Sequence, residues 1–130
     1  MTFEDEEFIK NLKIAKRADA IVCGIGTIRQ FLETGARHDI PFLENESVVS
    51  QCVGDICAHL FNAEGDFCYP ELSSYVCGLS TLDILRIPVR IASAIGREKA
   101  AAIRGALAGR LVNVLMTDED TVKALLELKN

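Results

Sequence analysis

Three short segments carry the residue types that hold a polar small molecule: GIGT at residues 24–27, VGD at residues 53–55 and AIGREK at residues 94–99. In AIGREK an apolar stretch ends at Gly96 and a helical pattern follows. A helix starting there aims free N–H groups and the positive end of its dipole beyond the strand. Lys99 adds a full positive charge, and Arg97 offers a second. Cations in a first turn oppose the dipole, and a phosphate or sugar oxyanion relieves that opposition. The competing reading of Lys99 is a solvated charge beside Glu98. Asp55 follows Gly54, and a carboxylate there accepts hydrogen bonds from sugar hydroxyls. It reads equally as a turn-former or a cap on nearby backbone.

Gly24, Gly26 and Thr27 are a weaker signal. GIGT lacks the third glycine of a dinucleotide fingerprint, and no acid stands at the ribose distance, so a nicotinamide cofactor is not expected. The two glycines read as a sharp backbone turn at the edge of a sheet. His59 alternates with apolar neighbours and reads as a satisfied or surface histidine; His38 has no evident partner. No G-x-S-x-G, H-E-x-x-H or P-loop pattern occurs, and no nucleophile is paired with a base. The expectation is a binding module, with no catalytic residues, no cofactor and no metal.

The five cysteines (Cys23, Cys52, Cys57, Cys68, Cys77) are odd in number and contain no C-x-x-C pair. They read as reduced, structural thiols of a cytoplasmic protein, not as a zinc site. The 130 residues are within the usual size of one domain. The net charge of −5 argues against this chain holding nucleic acid or an anionic membrane by itself. The acidic start, MTFEDEEF, is unlike a secretory signal, and no apolar run of about 18 residues appears.

The elements that must position these residues alternate between helix and strand, which predicts an α/β fold. A helix is expected over residues 4–16, with acids in its first turn and Lys16 and Arg17 closing it. ADAIVCG reads as a buried strand. A short helix over residues 28–33 is closed by Gly35, and residues 37–46 read as a loop. Residues 47–52 suggest a helical turn. ICAHLFN reads as one strand, AEGD as a turn, and residues 67–70 as an antiparallel partner. Residues 71–78 are ambiguous. STLDILRI reads as a helix with Ser80 as N-cap and Asp83 completing the cap. RIASAIG is a strand, REKAAAIRGALAGR a helix and LVNVLMT a strand. TDEDTVKALLELK is the last helix, with Thr117 or Asp118 as N-cap. This β-α-β-α run predicts parallel strands joined by a right-handed crossover. Ligands of such sheets bind beyond the carboxyl ends of the strands, where the three segments fall.

In order and spacing, ADAIVCGIGTI, VGDICAHLFNAEG and the run from GLSTLDILRIPVRIASAIGREK to NVLMTDEDTVKALLEL resemble the C-terminal half of the effector domain of SorC/DeoR-type bacterial transcriptional regulators. The resemblance covers nearly the whole chain and is strongest from Val53 onward. It implies a Rossmann-like, mostly parallel sheet with flanking helices, related to ribose-phosphate isomerases, glucosamine-phosphate deaminases and CoA transferases. Residues 1–130 would form a single, partial domain.

The resemblance also implies binding of a phosphorylated sugar or related metabolite, which alters oligomeric state and DNA affinity. Asp55 of the G-D motif and Lys99 of the G-x-x-K motif would face the effector. Gly54, Gly96, Gly24, Gly26 and Thr27, from the three strand-end segments, are expected beside them. DNA would be reached only through a helix-turn-helix that has no counterpart in these residues. The family's Gly-Thr-rich phosphate loop also has no counterpart, and Ile95 stands where the family often has a first glycine. Two alternatives remain open. One is a sugar-phosphate isomerase or deaminase using Asp55 as base and Lys99 as electrostatic stabiliser. The other is a protein that only assembles, because half a sensor sheet leaves apolar surface exposed.

Overall fold

The computed structural model describes residues 5–34, 40 and 46–128. The expected loop at residues 37–46, including His38, falls almost entirely outside them, as does the closing Gly35.

Helix α1 (Glu6–Ala15) starts where Asp5 accepts a hydrogen bond from the Phe8 N–H at 2.9 Å, and Glu6 and Glu7 fill its first turn. The chain then enters β1 (Ala20–Cys23), β2 (Gly26–Thr27) and α2 (Ile28–Glu33). A single-turn helix α3 (Glu46–Val49) precedes β3 (Gly54–Ile56) and β4 (His59–Phe61). A 3-10 helix occupies Pro70–Tyr75, followed by α4 (Thr81–Arg86). The last third runs through β5 (Val89–Ser93), a 3-10 turn (Arg97–Lys99), α5 (Ala100–Ala108), β6 (Val114–Met116) and α6 (Glu119–Glu127). Ser80 and Asp83 close a reciprocal capping box on α4, and Asp118, not Thr117, caps α6.

The strands form two sheets. One is parallel, in the order β1-β5-β6, and the other antiparallel, in the order β2-β3-β4. The parallel sheet with its helices is the architecture expected from the sequence. The second sheet departs from one detail, because ICAHLFN is not a single strand. Ile56 pairs with His59, and the chain reverses at Cys57 and Ala58, whose φ angles are 51° and 68°. Two positive φ values in a two-residue hairpin loop are the pattern of a type I′ turn, usually filled by Asn-Gly. The expected antiparallel contact after the AEGD turn survives as a bridge between Phe61 and Phe67.

Register decides which face of the parallel sheet is buried. Cys23, Ala92 and Leu115 are aligned and pack into a core with Ile103, Ala106, Leu111 and Val112. The opposite face carries Val22, Val89, Val114 and Met116, which are 68%, 40%, 42% and 58% exposed. Parallel sheets are ordinarily covered on both sides, so this one has an open apolar face. A second core, around Phe31, Leu60 and Leu72, lies under the antiparallel sheet.

Arg90 anchors the turns around β5 and β6. Its guanidinium donates to the carbonyls of Ile87 (2.7 Å), Arg110 (2.7 Å) and Leu111 (3.0 Å). Asn113 accepts from the Arg90 N–H and donates to the Pro88 carbonyl, both at 2.8 Å. These bonds fix where β5 begins and tie that end to the turn before β6.

Candidate functional site

Because β1, β5 and β6 are parallel, their carboxyl ends share one rim. GIGT leaves β1 there and AIGREK leaves β5. The antiparallel sheet brings VGD to the same rim, since Gly26 pairs with Asp55 and Thr27 with Gly54. The 3-10 turn Arg97–Lys99 also packs against β2. All three segments singled out by residue type therefore converge.

Asp55 is half-buried, and its carboxylate fills the space where a Cβ on Gly26 would stand. Burial raises its pKa above the ordinary aspartate value. The Ala58 N–H, the Lys99 charge and His59 oppose that rise without cancelling it. Asp55 lines a concavity of about 410 Å³ together with Phe31, Thr34, Leu72, Tyr75 and Cys57. That volume is within the range of small-molecule pockets.

Lys99 is half-buried and is the residue before α5, not part of its first turn. Its charge reaches Asp55. Among the described residues no carboxylate pairs with its ammonium group within salt-bridge distance. It does not line the Asp55 concavity. Arg97 is turned away, pairing with Glu127 at 2.7 Å and donating to the Asp120 carbonyl at 3.3 Å. The second cation expected on the rim is thus committed to α6.

Gly96 has a φ of 137°, where an L side chain is strained, and a Cβ there would strike the Glu98 carboxylate. Its N–H donates to Thr121 Oγ1 at 2.8 Å. Thr121 is fully buried and in turn donates to Asp118. Gly24 is exposed, while Gly54 is buried between Thr27 and Phe61. Thr27 caps α2: its hydroxyl accepts from the Gln30 N–H, and the Gln30 side chain accepts from the Thr27 N–H. Thr27 borders a separate concavity of about 290 Å³ with Arg29, Gln30, Glu33 and Glu98. Arg29 is paired with Glu33 at 3.1 Å, so among the described residues this second hollow keeps no unpaired cation for an anion.

His59 is buried, and its Nε2–H donates to the Leu79 carbonyl at 2.8 Å, which is the satisfied histidine expected. Residue types alone did not point to Thr34, Tyr75 or Cys57, which line the Asp55 concavity. Nor did they point to Thr117, whose Oγ1 is buried without a hydrogen-bond partner among the described residues at the end of β6. Cys57 carried one usable signal, its place two residues after Asp55.

The family model described as "Putative sugar-binding domain" matches residues 1–127. The chain belongs to that family. That family is the sugar-binding domain of SorC/DeoR-type regulators, as the sequence resemblance implied, and this chain is a part of such a domain. The deoxyribonucleoside regulator of Bacillus subtilis is 31% identical over 127 residues, covering 96% of this chain and 40% of that protein. The transcriptional regulator LsrR of an Enterobacter species is 35% identical over 118 residues, covering 88% of this chain and 36% of that protein. The crystal structure of a transcriptional regulator from Streptococcus pneumoniae superposes with a TM-score of 0.74 at 32% identity, covering 94% of this chain and 47% of that one. This sugar-binding-domain chain therefore spans less than half the length of each. No described helix is long and apolar enough to cross a membrane.

Proposed function

We propose that this chain is one partial effector-binding domain of a cytoplasmic SorC-type transcriptional regulator, and that it binds a phosphorylated sugar or a related metabolite. The observation that carries the proposal is the Asp55–Lys99 arrangement. A half-buried carboxylate held above its ordinary pKa borders a pocket-sized concavity, and a lysine with no carboxylate paired to it among the described residues stands within electrostatic reach. Asp55 accepts hydrogen bonds from the sugar hydroxyls, and Lys99 meets the anionic end, next to Gly24, Gly26, Thr27, Gly54 and Gly96. Removing the carboxylate's burial cost by hydrogen bonding is a direct source of binding energy.

Binding without turnover is the reading supported by the relatives, which are transcriptional regulators. It is also consistent with a buried histidine already bonded to backbone. DNA is contacted through a separate domain of the regulator, since the chain's net charge of −5 does not favour a phosphate backbone. The open face of Val22, Val89, Val114 and Met116 supports assembly of copies through the parallel sheet.

The test is a thermal-shift panel of sugar phosphates alongside their unphosphorylated sugars. The proposal expects a rise in Tm with at least one phosphorylated compound and little with its parent sugar. A ligand at about a hundred times its Kd adds about 2.7 kcal/mol. Equal response to both members of each pair would remove the phosphate from the proposal.

A further inference from the structure

Five free thiols are distributed so that four of them meet in pairs. The antiparallel pairing of Gly26 with Asp55 carries the β3–β4 turn back beside the end of β1, where the Cys57 and Cys23 thiols interact. Cys52 and Cys68 meet in the second core. The two pairs are in different settings. Cys52 is buried and its thiol is pushed up to about 12, chiefly by burial and then by Cys68. Cys68 is raised as well, by burial. Neither readily becomes the thiolate that redox chemistry needs.

At the rim the situation is reversed. The Cys57 S–H donates to Cys23 and lowers the Cys23 pKa, more than burial raises it. Cys23 itself donates to the Ile91 carbonyl at 3.6 Å when protonated. The Cys57 pKa is raised by its hydrogen bond to Cys23, by burial of the thiol and by the charges of Cys23 and Asp55, so it remains the donor. Cys57 is an exposed residue on the wall of the Asp55 concavity and Cys23 is partly exposed, so small oxidants reach the pair from solvent. Its backbone is held by the left-handed turn with Ala58. Such conformations persist where the surroundings hold them.

We infer that Cys23 and Cys57 are a reversible dithiol–disulfide site that ties the end of β1 to the β3–β4 turn beside Asp55. The oxidant is hydrogen peroxide. The Cys23 thiolate attacks one peroxide oxygen; an S–O bond forms, the O–O bond breaks, and hydroxide leaves and takes a proton. Cys57 sulfur then attacks the Cys23 sulfenic acid. The S–S bond forms, the S–O bond breaks, and the departing hydroxyl takes the Cys57 proton as water. Two thiols are oxidised and one peroxide is reduced to two waters, and an added dithiol reverses the bond by exchange. The inference concerns the thiols alone and stands whether or not a sugar phosphate occupies the rim.

Peroxide titration of the 130-residue chain, followed by alkylation and peptide mapping, tests it. The expected product is an intramolecular Cys23–Cys57 peptide that disappears with dithiothreitol, while Cys52, Cys68 and Cys77 remain alkylatable. In Cys57→Ser, Cys23 stops at sulfenic acid, trapped by a dimedone probe, and no intramolecular link to Cys23 forms. In Cys23→Ser, the loss of free Cys57 slows to the rate seen at the exposed Cys77. A wild-type chain whose Cys23 and Cys57 stay alkylatable, or whose Cys52–Cys68 link appears as fast, overturns the inference.

Discussion

Gly26 and Asp55 face each other across the β2–β3 pair, and the carboxylate of Asp55 occupies the volume that any side chain at position 26 would need. The turn after β1 and the proposed sugar-binding group are therefore a single packed unit. Gly26→Ala should displace the carboxylate from the rim. The expected cost is about 1–3 kcal/mol, typical of forcing a methyl group into filled space, read by urea denaturation. An unchanged denaturation midpoint would mean that the carboxylate has room to move aside.

Asp55 also makes a prediction about pH. Its folded-state pKa is raised, mainly by burial. Between the ordinary aspartate value and that raised value, the folded chain holds more protons than the unfolded chain. Stability from this group is therefore fully present below the ordinary value and is lost as pH rises through the raised one. Asp55→Asn should be more stable than wild type at neutral pH, and the advantage should vanish in acid. Asp83 and Asp118 are shifted downward and act in the opposite sense. The comparison is thus the difference between wild type and variant across pH, not either curve alone.

Lys99 lowers the Asp55 pKa through its charge. Lys99→Gln should consequently raise the Asp55 pKa further, followed by carbon-detected NMR titration of the carboxyl group. No movement would separate the two residues electrically.

Helix α5 ends in a Schellman motif: Leu111 N–H bonds the Ala106 carbonyl at 2.9 Å and Arg110 N–H bonds that of Leu107 at 3.1 Å. Arg110 holds the left-handed position with a φ of 54°, and the residue is exposed. Arg110→Gly should stabilise the chain by about 1 kcal/mol, because glycine carries no Cβ penalty there. Since the Arg90 contact is to the Arg110 carbonyl, it survives the change. Thermal unfolding of the pair of proteins reads the difference.

The open sheet face predicts self-association. Wild type should sediment as a dimer or larger species at micromolar concentration, and Val22→Glu with Met116→Glu should sediment as a monomer. Both side chains are largely exposed, so the folded chain should accept the charges. A wild type that sediments as a monomer would show that copies of this chain do not cover that face.

Much of this architecture was legible in residue order. The apolar blocks of β5 and β6 and the polar caps at Ser80 and Asp118 mark their own boundaries, and the parallel sheet follows from their alternation with helices. The β3–β4 hairpin was hidden because Cys57 and Ala58 lack turn chemistry and continue the period-two pattern of their neighbours. Gly54-Asp55 announced the carboxylate, but the placement of Lys99 depends on a 3-10 turn that helical periodicity does not distinguish from α5. That the second charge offered by Arg97 is taken up by α6 was hidden because its partner, Glu127, lies 30 residues onward. The contact of Cys23 with Cys57 is equally non-local: it exists only once β2 and β3 have paired.

Isothermal titration of wild type, Lys99→Ala and Asp55→Asn with the sugar phosphate that most raises the wild-type Tm is the most direct test of the rim as an effector site. The account predicts that each substitution weakens binding by roughly tenfold or more, the worth of one hydrogen bond to a charged group, while the fold is retained by circular dichroism. Wild-type affinity in both variants would contradict it.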